Sequence, residues 1–188
     1  MIEVAITPAI IVRAEEMYKA AQSSARLRFR KDKAAGNTTW TGCVGQAVFE
    51  AGLRDGRIPF KFIDATTHDY EVCGLKVDVK TKAWSKAAWA SDPVSVFDYI
   101  KDHQAVDYYA FVHLQLAAGE DRNGAPSATR FQKAWILGAK AASAYFAEAE
   151  EVKIGTVFES GHIAKADSRN LAVNKLESIE VLGGPENE

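Results

Sequence analysis

The sequence predicts an α/β or α+β fold built around one central sheet. Runs with the two-residue alternation of strands are interspersed with runs that keep the spacing of amphipathic helices along all 188 residues. The apolar stretch YYAFVHLQL, residues 108–116, is typical of a strand buried on both faces. No internal repeat or domain boundary stands out, so we expect one domain, 1–188, with a frayed tail at 183–188.

The first third of the chain predicts two helices and a strand. Thr7 followed by Pro8 is typical of a helix start, and the helical spacing of apolar residues after it predicts a helix that runs into the twenties. Residues 41–54 predict a second helix, which ends before Gly56. The stretch 58–64 predicts a strand.

The remainder predicts a hairpin, further strands and further helices. Two alternating runs, 69–73 and 75–82, predict a β-hairpin. Asp92 before Pro93 predicts the start of a short helix over 92–103. After the buried strand, the sequence predicts a loop over 117–128, a strand over 129–137 and an alanine-rich helix over 138–151. A late strand and a short C-terminal element are predicted to follow.

Composition indicates an ordinary globular protein. The formal net charge of -2 excludes a strongly basic, histone-like binder but leaves room for a local basic face. Cys43 and Cys73 belong to no CxxC pair, so we expect neither a disulfide framework nor a structural zinc site. No signal peptide and no apolar run of about 18 residues is present, so we expect no membrane partner and a cytoplasmic location.

The predicted hairpin carries two acids and a lysine that geometry brings together. Residues two apart in a strand share a face, so Asp78 and Lys80 are neighbours. The antiparallel partner strand begins at Asp69 and returns it towards that pair. Two close carboxylates repel unless a cation lies between them, and oxygen ligands suit Mg²⁺. The lysine would then position or activate a water, or neutralise charge on a phosphate. The alternative is a solvated hairpin face with a simple Asp–Lys pair.

The helix before the hairpin extends this pattern into a motif. TWTGCVGQAVFEAGL, 39–53, followed by DYEVCGLKVDVKTK, 69–82, resembles the PD-(D/E)XK nuclease superfamily, in particular its phage and restriction-type members. The resemblance is strongest over 40–82 and weaker to about residue 138. It implies a restriction-endonuclease-like catalytic core over 40–138, with a central mixed sheet of four to five strands flanked by helices, and an N-terminal helical extension over 1–35.

The resemblance assigns a role to each matching residue. Asp69 and Asp78 match the acidic metal ligands, and Lys80 matches the catalytic lysine. Gln46 stands at the helix position where the family usually has Glu, and Glu50, one turn later on the same helical face, is a candidate for the missing carboxylate, as a catalytic and metal-binding residue. His68 stands where the family has Pro.

The resemblance implies a Mg²⁺-dependent deoxyribonuclease, specifically an endonuclease, in which Mn²⁺ can substitute. The implied partners are DNA and a second copy in a homodimer, and the location of a phage-encoded member would be the cytoplasm of its bacterial host. Three alternatives stay open: a catalytically weakened nucleic-acid-binding or assembly module on the same fold, a structure-specific junction-resolving nuclease, and a sequence-specific restriction enzyme.

Nucleic-acid contacts are expected from basic and aromatic residues at two places. A basic cluster follows the first predicted helix, and cations with one tryptophan extend the hairpin beyond Lys80. The alternatives are a solvated helix end and a core tryptophan. His113 and Gln115 share a face of the 108–116 strand and are weaker candidates at the border of the site. The predicted DNA-binding residues are Arg26, Arg28, Arg30, Lys31, Lys33, Lys82, Trp84 and Lys86.

Overall fold

The computed structural model describes residues 1–23, 33–63, 67–98, 105–121, 125–158, 161 and 163–184. The strands in these ranges are β1 (Ile2–Val4), β2 (Phe60–Phe62), β3 (Tyr70–Val72), β4 (Leu75–Trp84), β5 (Pro93–Phe97), β6 (Tyr108–Leu116), β7 (Phe131–Ala141), β8 (Glu150–Val152) and β9 (Ser168–Ala172). The helices there are α1 (Pro8–Ser23), α2 (Lys33–Asp55) and α3 (Ala142–Glu148), with 3₁₀ turns at Val173–Lys175 and Ile179–Gly183.

The strands form two sheets, and the predicted mixed α/β class is confirmed. The larger sheet has six strands in the order β1-β7-β6-β4-β3-β2, and the smaller has three in the order β5-β9-β8. The expectation of four to five strands was too low because β1 is too short to show a period. It is held instead by antiparallel pairing with β7, in which Ile2 lies opposite Ile136 and Val4 opposite Ala134.

The chain divides into two compact units, each assembled from separate segments. The first comprises Met1–Ile58, Thr81–Ala88 and Phe111–Leu137. In it α1 packs against α2, and both helices bury apolar side chains. The buried side chains there include Ala14, Met17, Val44, Ala47 and Val48.

Glycine at position 45 allows α2 to approach β4 closely. A Cβ on Gly45 would overlap the side chain of Thr81, which is β-branched and cannot move aside by rotating a distal group. A Cβ on Gly42, three residues earlier in the same helix, would meet nothing within 4 Å. The two glycines therefore have different roles, although both lower the intrinsic stability of the helix.

We expect Gly45→Ala and Gly42→Ala to change stability in opposite directions. Overpacking against Thr81 should lower the free energy of unfolding by about 1–3 kcal/mol in Gly45→Ala. Gly42→Ala should raise it by up to about 1 kcal/mol, because alanine is the better helix former and the space is open. Denaturant titration of both variants measures the difference; equal changes would contradict a close approach at Gly45.

The second unit comprises Pro59–Lys80, Trp89–Ala110 and Gly138–Glu188. It contains β3, the part of β4 that ends at Lys80, and the three-stranded sheet, on which α3 is fixed by a buried tyrosine. The Tyr145 hydroxyl lies 2.9 Å from the Val94 carbonyl oxygen and 2.6 Å from that of Arg169, and donates its hydrogen to them. The helix is thereby joined to two neighbouring strands of this sheet, β5 and β9.

The predicted helix over 92–103 is wrong in its first half, where β5 lies. Val94 and Val96 are buried and their neighbours along the strand are exposed, which is the period of a half-buried strand. Pairing with β9 stabilises this conformation. Asp92 caps no helix start; its carboxylate accepts a hydrogen bond from the Trp89 N–H at 2.8 Å in the turn before the strand. Residues 99–104 lie outside the described ranges.

The predicted helix over 138–151 begins four residues late, because 138–141 continue β7. Ala139 forms a two-way backbone bridge with Glu177, with N–O distances of 2.9 Å in each direction. Gly138 has a φ of 142°, and its Cα lies so close to the Glu177 carbonyl that a Cβ would overlap it. This pairing with the C-terminal segment keeps the start of the alanine-rich stretch extended.

None of the helices in the described ranges is long and apolar enough to cross a bilayer.

Candidate active site

The β3–β4 hairpin sets the register of the predicted site. Its antiparallel ladder pairs Tyr70 with Val77 and Glu71 with Lys76, and it ends at Tyr70, directly after Asp69. The two turn residues between the strands, 73 and 74, both have positive φ, of 47° and 82°. This is the backbone of a tight two-residue hairpin turn, which leaves little freedom to slip the register.

Asp69 is fixed by the backbone of the neighbouring strand. Its N–H donates to the Val77 carbonyl at 3.1 Å, and its Oδ2 accepts a hydrogen bond from the Val79 N–H at 2.9 Å. The carboxylate therefore serves as the hydrogen-bond acceptor for the Val79 N–H, as a backbone carbonyl would in a regular ladder, and this bond holds it in one orientation. His68 is buried, and its Nδ1 shares a 2.9 Å hydrogen bond with the Thr67 hydroxyl.

Asp78 and Lys80 form a close ion pair on the adjoining strand. The Lys80 Nζ lies 2.6 Å from Asp78 Oδ2, and the side chain of Asp78 is only 6% exposed while that of Lys80 is 21% exposed. A buried carboxylate needs such a partner, because an uncompensated charge is costly to remove from water. Asp78 is therefore the buried member of the ion pair, and Lys80 lies nearer to solvent.

Tyr109, which sequence reasoning missed, borders this pair. Its ring centroid lies 5.7 Å from the Lys80 Nζ. Burial raises the pKa of Tyr109 to about 12, and the negative charge of Asp78 adds to the effect. The ring also makes edge contacts with Tyr145 and Phe146, at centroid distances of 5.8 and 6.0 Å. One side of the ion pair is therefore lined by an aromatic side chain with a neutral hydroxyl.

The raised tyrosine pKa predicts a loss of stability at alkaline pH. Below pH 10 Tyr109 is neutral in both the folded and the unfolded chain, so its contribution is complete there. As pH rises from 10.0 to about 12, the unfolded tyrosine ionises first, and we expect the free energy of unfolding to fall by about 2 kcal/mol on account of this group. Denaturant titrations across that range, combined with tyrosinate absorbance, measure the loss.

Tyr109→Phe is the matched variant for this alkaline effect. It cannot ionise at this position, so its stability should decline less steeply between pH 10 and 12. A residual decline is expected, because burial also raises the pKa of Tyr145. Parallel stability profiles for the variant and the wild type would show that Tyr109 does not resist ionisation in the folded chain.

Gln46 and Glu50 lie on α2 in the first unit. Gln46 is half-buried. Glu50 is fully buried between two arginines: Arg13 donates to it through Nε at 3.0 Å and Nη2 at 2.8 Å, and Arg54 donates through Nη2 at 2.8 Å. Metal ligation by Glu50 stays a prediction, and it would require the carboxylate to exchange these contacts.

The structure describes only some of the predicted DNA-binding residues. Arg26, Arg28, Arg30 and Lys31 lie outside the described ranges, and Lys33 is described only as helical backbone. Beyond Lys80, the chain places the Lys82 Nζ 4.4 Å from the centroid of the Trp84 ring, and Lys86 is exposed.

His113 and Gln115 contact the segment that follows β4. The Nε2 atom of His113 lies 2.8 Å from the Lys86 carbonyl oxygen, and the Gln115 amide donates to the Ser85 carbonyl at 3.3 Å. His113 is buried and packs edge-on to Trp135 with ring centroids 5.6 Å apart. These contacts give both side chains a structural role in holding the backbone of residues 85 and 86.

The hairpin offers two carboxylates of the chemical type that a hard cation would take. Asp69 and Asp78 supply carboxylate oxygens, the ligand type that Mg²⁺ prefers, and Mg²⁺ commonly takes one or two carboxylates together with waters and substrate phosphates. Within the described ranges, no group of three or more His, Cys, Asp or Glu side chains is placed to hold a metal ion. The two aspartates would therefore depend on water and phosphate oxygens to complete the shell.

No protein-family model, no curated protein and no solved structure matches this chain.

Proposed function

We propose that this chain is a metal-dependent nuclease that hydrolyses phosphodiester bonds of DNA as an endonuclease. The observation that carries the proposal is the position of the Asp69 carboxylate on β4. It accepts a hydrogen bond from the Val79 N–H at 2.9 Å, and the residues on either side of Val79, Asp78 and Lys80, are in contact at 2.6 Å. Two acids and a lysine in this arrangement combine a cation site with a positive side chain beside it. Hydrolysis of a phosphodiester is promoted by both, because the bond is inert and charge develops on its oxygens.

The proposal includes a restriction-endonuclease-like core of the PD-(D/E)XK superfamily. The element order α2–β2–β3–β4 supports it, because the helix with the W-x-G-x-x-G pattern precedes an antiparallel meander that carries the acids and the lysine. The neighbour of β4 on its other side is β6. At its start, the Asp107 N–H donates to the Lys76 carbonyl at 2.8 Å, which aligns the beginnings of these two strands.

The residues have separable tasks in the proposed reaction. Asp69 and Asp78 would hold Mg²⁺, with Mn²⁺ as a substitute, and the metal would supply Lewis-acid polarisation of the phosphate and a more acidic water. The backbone hydrogen bond from Val79 keeps the carboxylate of Asp69 oriented before substrate arrives. Lys80, more exposed than Asp78, would turn its ammonium to the phosphate or to the attacking water and stabilise the charge that develops.

A cleavage panel tests the proposed reaction and identifies the DNA form. Purified chain is incubated with linear, circular, single-stranded and branched DNA in Mg²⁺, in Mn²⁺ and in EDTA, with Lys80→Ala beside the wild type. We expect metal-dependent cleavage of at least one form and its loss in the variant. Preference for branched DNA by a defined dimer would identify a junction-resolving enzyme. Failure to cleave any form, together with no Mn²⁺ binding in calorimetry, would refute the proposal.

A nucleic-acid-binding or assembly module with a weakened centre is the second candidate. Two observations favour it: the helix offers Gln46 where an acid is expected, and the nearby Glu50 is already neutralised by Arg13 and Arg54. Such a module would bind DNA equally well in EDTA and in Mg²⁺ and would leave every DNA form intact. Cleavage that disappears in Lys80→Ala would exclude it.

A further inference from the structure

Trp84 and Lys82 form a stacked pair at the end of β4. Their side chains lie on the same face of the strand, because they are two residues apart, and the Lys82 Nζ is 4.4 Å from the indole centroid. Trp84 nevertheless keeps 37% of its surface exposed, and Lys82 is exposed as well. A large aromatic ring with this much open surface and a cation against it is available to a ligand.

The backbone beside Trp84 is fixed, which makes the pair a preorganised surface. The next two residues accept hydrogen bonds through their carbonyls from β6: Ser85 from Gln115 at 3.3 Å, and Lys86 at 2.8 Å from the Nε2 of His113. The Lys86 side chain, two residues further along the chain, is exposed as well. An exposed indole with a cation against it, next to this fixed backbone, is complementary to a ligand that is both aromatic and anionic.

We infer that Trp84 and Lys82 bind an unpaired nucleobase together with its phosphate, so that this surface selects single-stranded or locally unpaired nucleic acid. The base stacks on the indole, and the phosphate attracts the Lys82 ammonium. The ring then loses its contact with the ammonium and gains a stacking contact with the base. Paired bases are covered by their neighbours in a duplex and cannot offer a face. This inference rests on the proposed function and specifies its substrate class.

Binding measured in EDTA tests the inference without cleavage. The probe is a fluorescently labelled DNA of about 12 nucleotides, within the site sizes of single-strand binders, compared with its blunt duplex by anisotropy. Trp84→Ala should weaken single-strand binding by about 5- to 150-fold, equivalent to about 1–3 kcal/mol, and leave duplex binding nearly unchanged. Trp84→Phe should recover most of the affinity. Trp89→Ala, which removes a tryptophan that is 66% exposed, is the matched control and should have no effect.

A second variant tests the cation independently of the ring. Lys82→Gln should flatten the dependence of log affinity on log salt by about 0.7 for the single strand, as expected for one lost phosphate contact. The inference is overturned if the wild type does not bind the single strand, if Trp84→Ala weakens both DNA forms equally or neither, or if Lys82→Gln leaves the salt dependence unchanged. Absence of cleavage with intact Trp84-dependent binding would instead overturn only the nuclease activity.

Discussion

Replacing Asp78 with Asn is expected to lower the single-turnover rate of DNA cleavage by about 10³-fold or more. The substitution keeps the size of the side chain but removes the negative charge that would hold the cation, and it removes the ionic partner that lies 2.6 Å from the Lys80 Nζ. A loss of this size corresponds to about 4 kcal/mol of transition-state stabilisation. The measurement is a rate under saturating enzyme and Mg²⁺, with thermal melting of the variant to establish that it is folded.

Asp107→Asn is the matched control for this prediction. Asp107 belongs to the same unit and also contacts β4, where its Oδ2 accepts a hydrogen bond from the Lys76 N–H at 2.7 Å, but it is exposed and lies outside the proposed centre. Its replacement should leave the cleavage rate within the range of ordinary surface substitutions. Equal losses in both variants would mean that the reaction depends on the general integrity of the hairpin and not on Asp78.

Glu50→Gln is expected to lower the free energy of unfolding by about 3 kcal/mol. The Glu50 carboxylate is fully buried and receives hydrogen bonds from the guanidinium groups of Arg13 and Arg54. Loss of its charge leaves two cations without their common counter-ion. The cost lies at the lower end for broken buried pairs, because the arginine side chains are 30% and 59% exposed and can partly turn to water.

Glu16→Gln provides the comparison, since Glu16 also contacts Arg13, at 3.3 Å, but its side chain is 61% exposed. Its loss should change stability by less than about 1 kcal/mol, as for other surface pairs. Denaturant titration in EDTA separates the two variants. If Glu50→Gln is as stable as the wild type without metal but loses Mn²⁺ binding, Glu50 is a metal ligand and its contacts with the arginines are secondary.

Local pattern predicted the elements whose burial follows a simple period. The strand expected over 108–116 is β6, Tyr108–Leu116, because an uninterrupted apolar run of that length is stable between neighbouring strands. The stretch from Asp92 resembled a helix start but forms β5, since its pairing with β9 joins Val94 to Leu171. That partner lies far along the chain, and no local period reveals it.

The same distinction applies to the candidate site. Strand alternation predicted that Asp78 and Lys80 are neighbours, and hairpin pairing predicted the return of Asp69. The arginine contacts of Glu50 depend on how α1 packs on α2, which the sequence pattern does not determine. The pattern that identifies Tyr109 is present in the sequence: by the period of two it shares a strand face with His113, a predicted residue at the border of the site.

Cleavage of single-stranded and double-stranded circular DNA by the wild type and by Asp78→Asn in parallel tests the proposed centre in one assay. A circle has no ends, so only endonucleolytic hydrolysis converts it to an open or linear form. We expect the wild type to convert at least one of the two circles in Mg²⁺ and not in EDTA, and folded Asp78→Asn to leave both intact. Circles that stay closed with the wild type in both Mg²⁺ and Mn²⁺, or that Asp78→Asn opens at the wild-type rate, would contradict a metal-dependent centre at Asp69, Asp78 and Lys80.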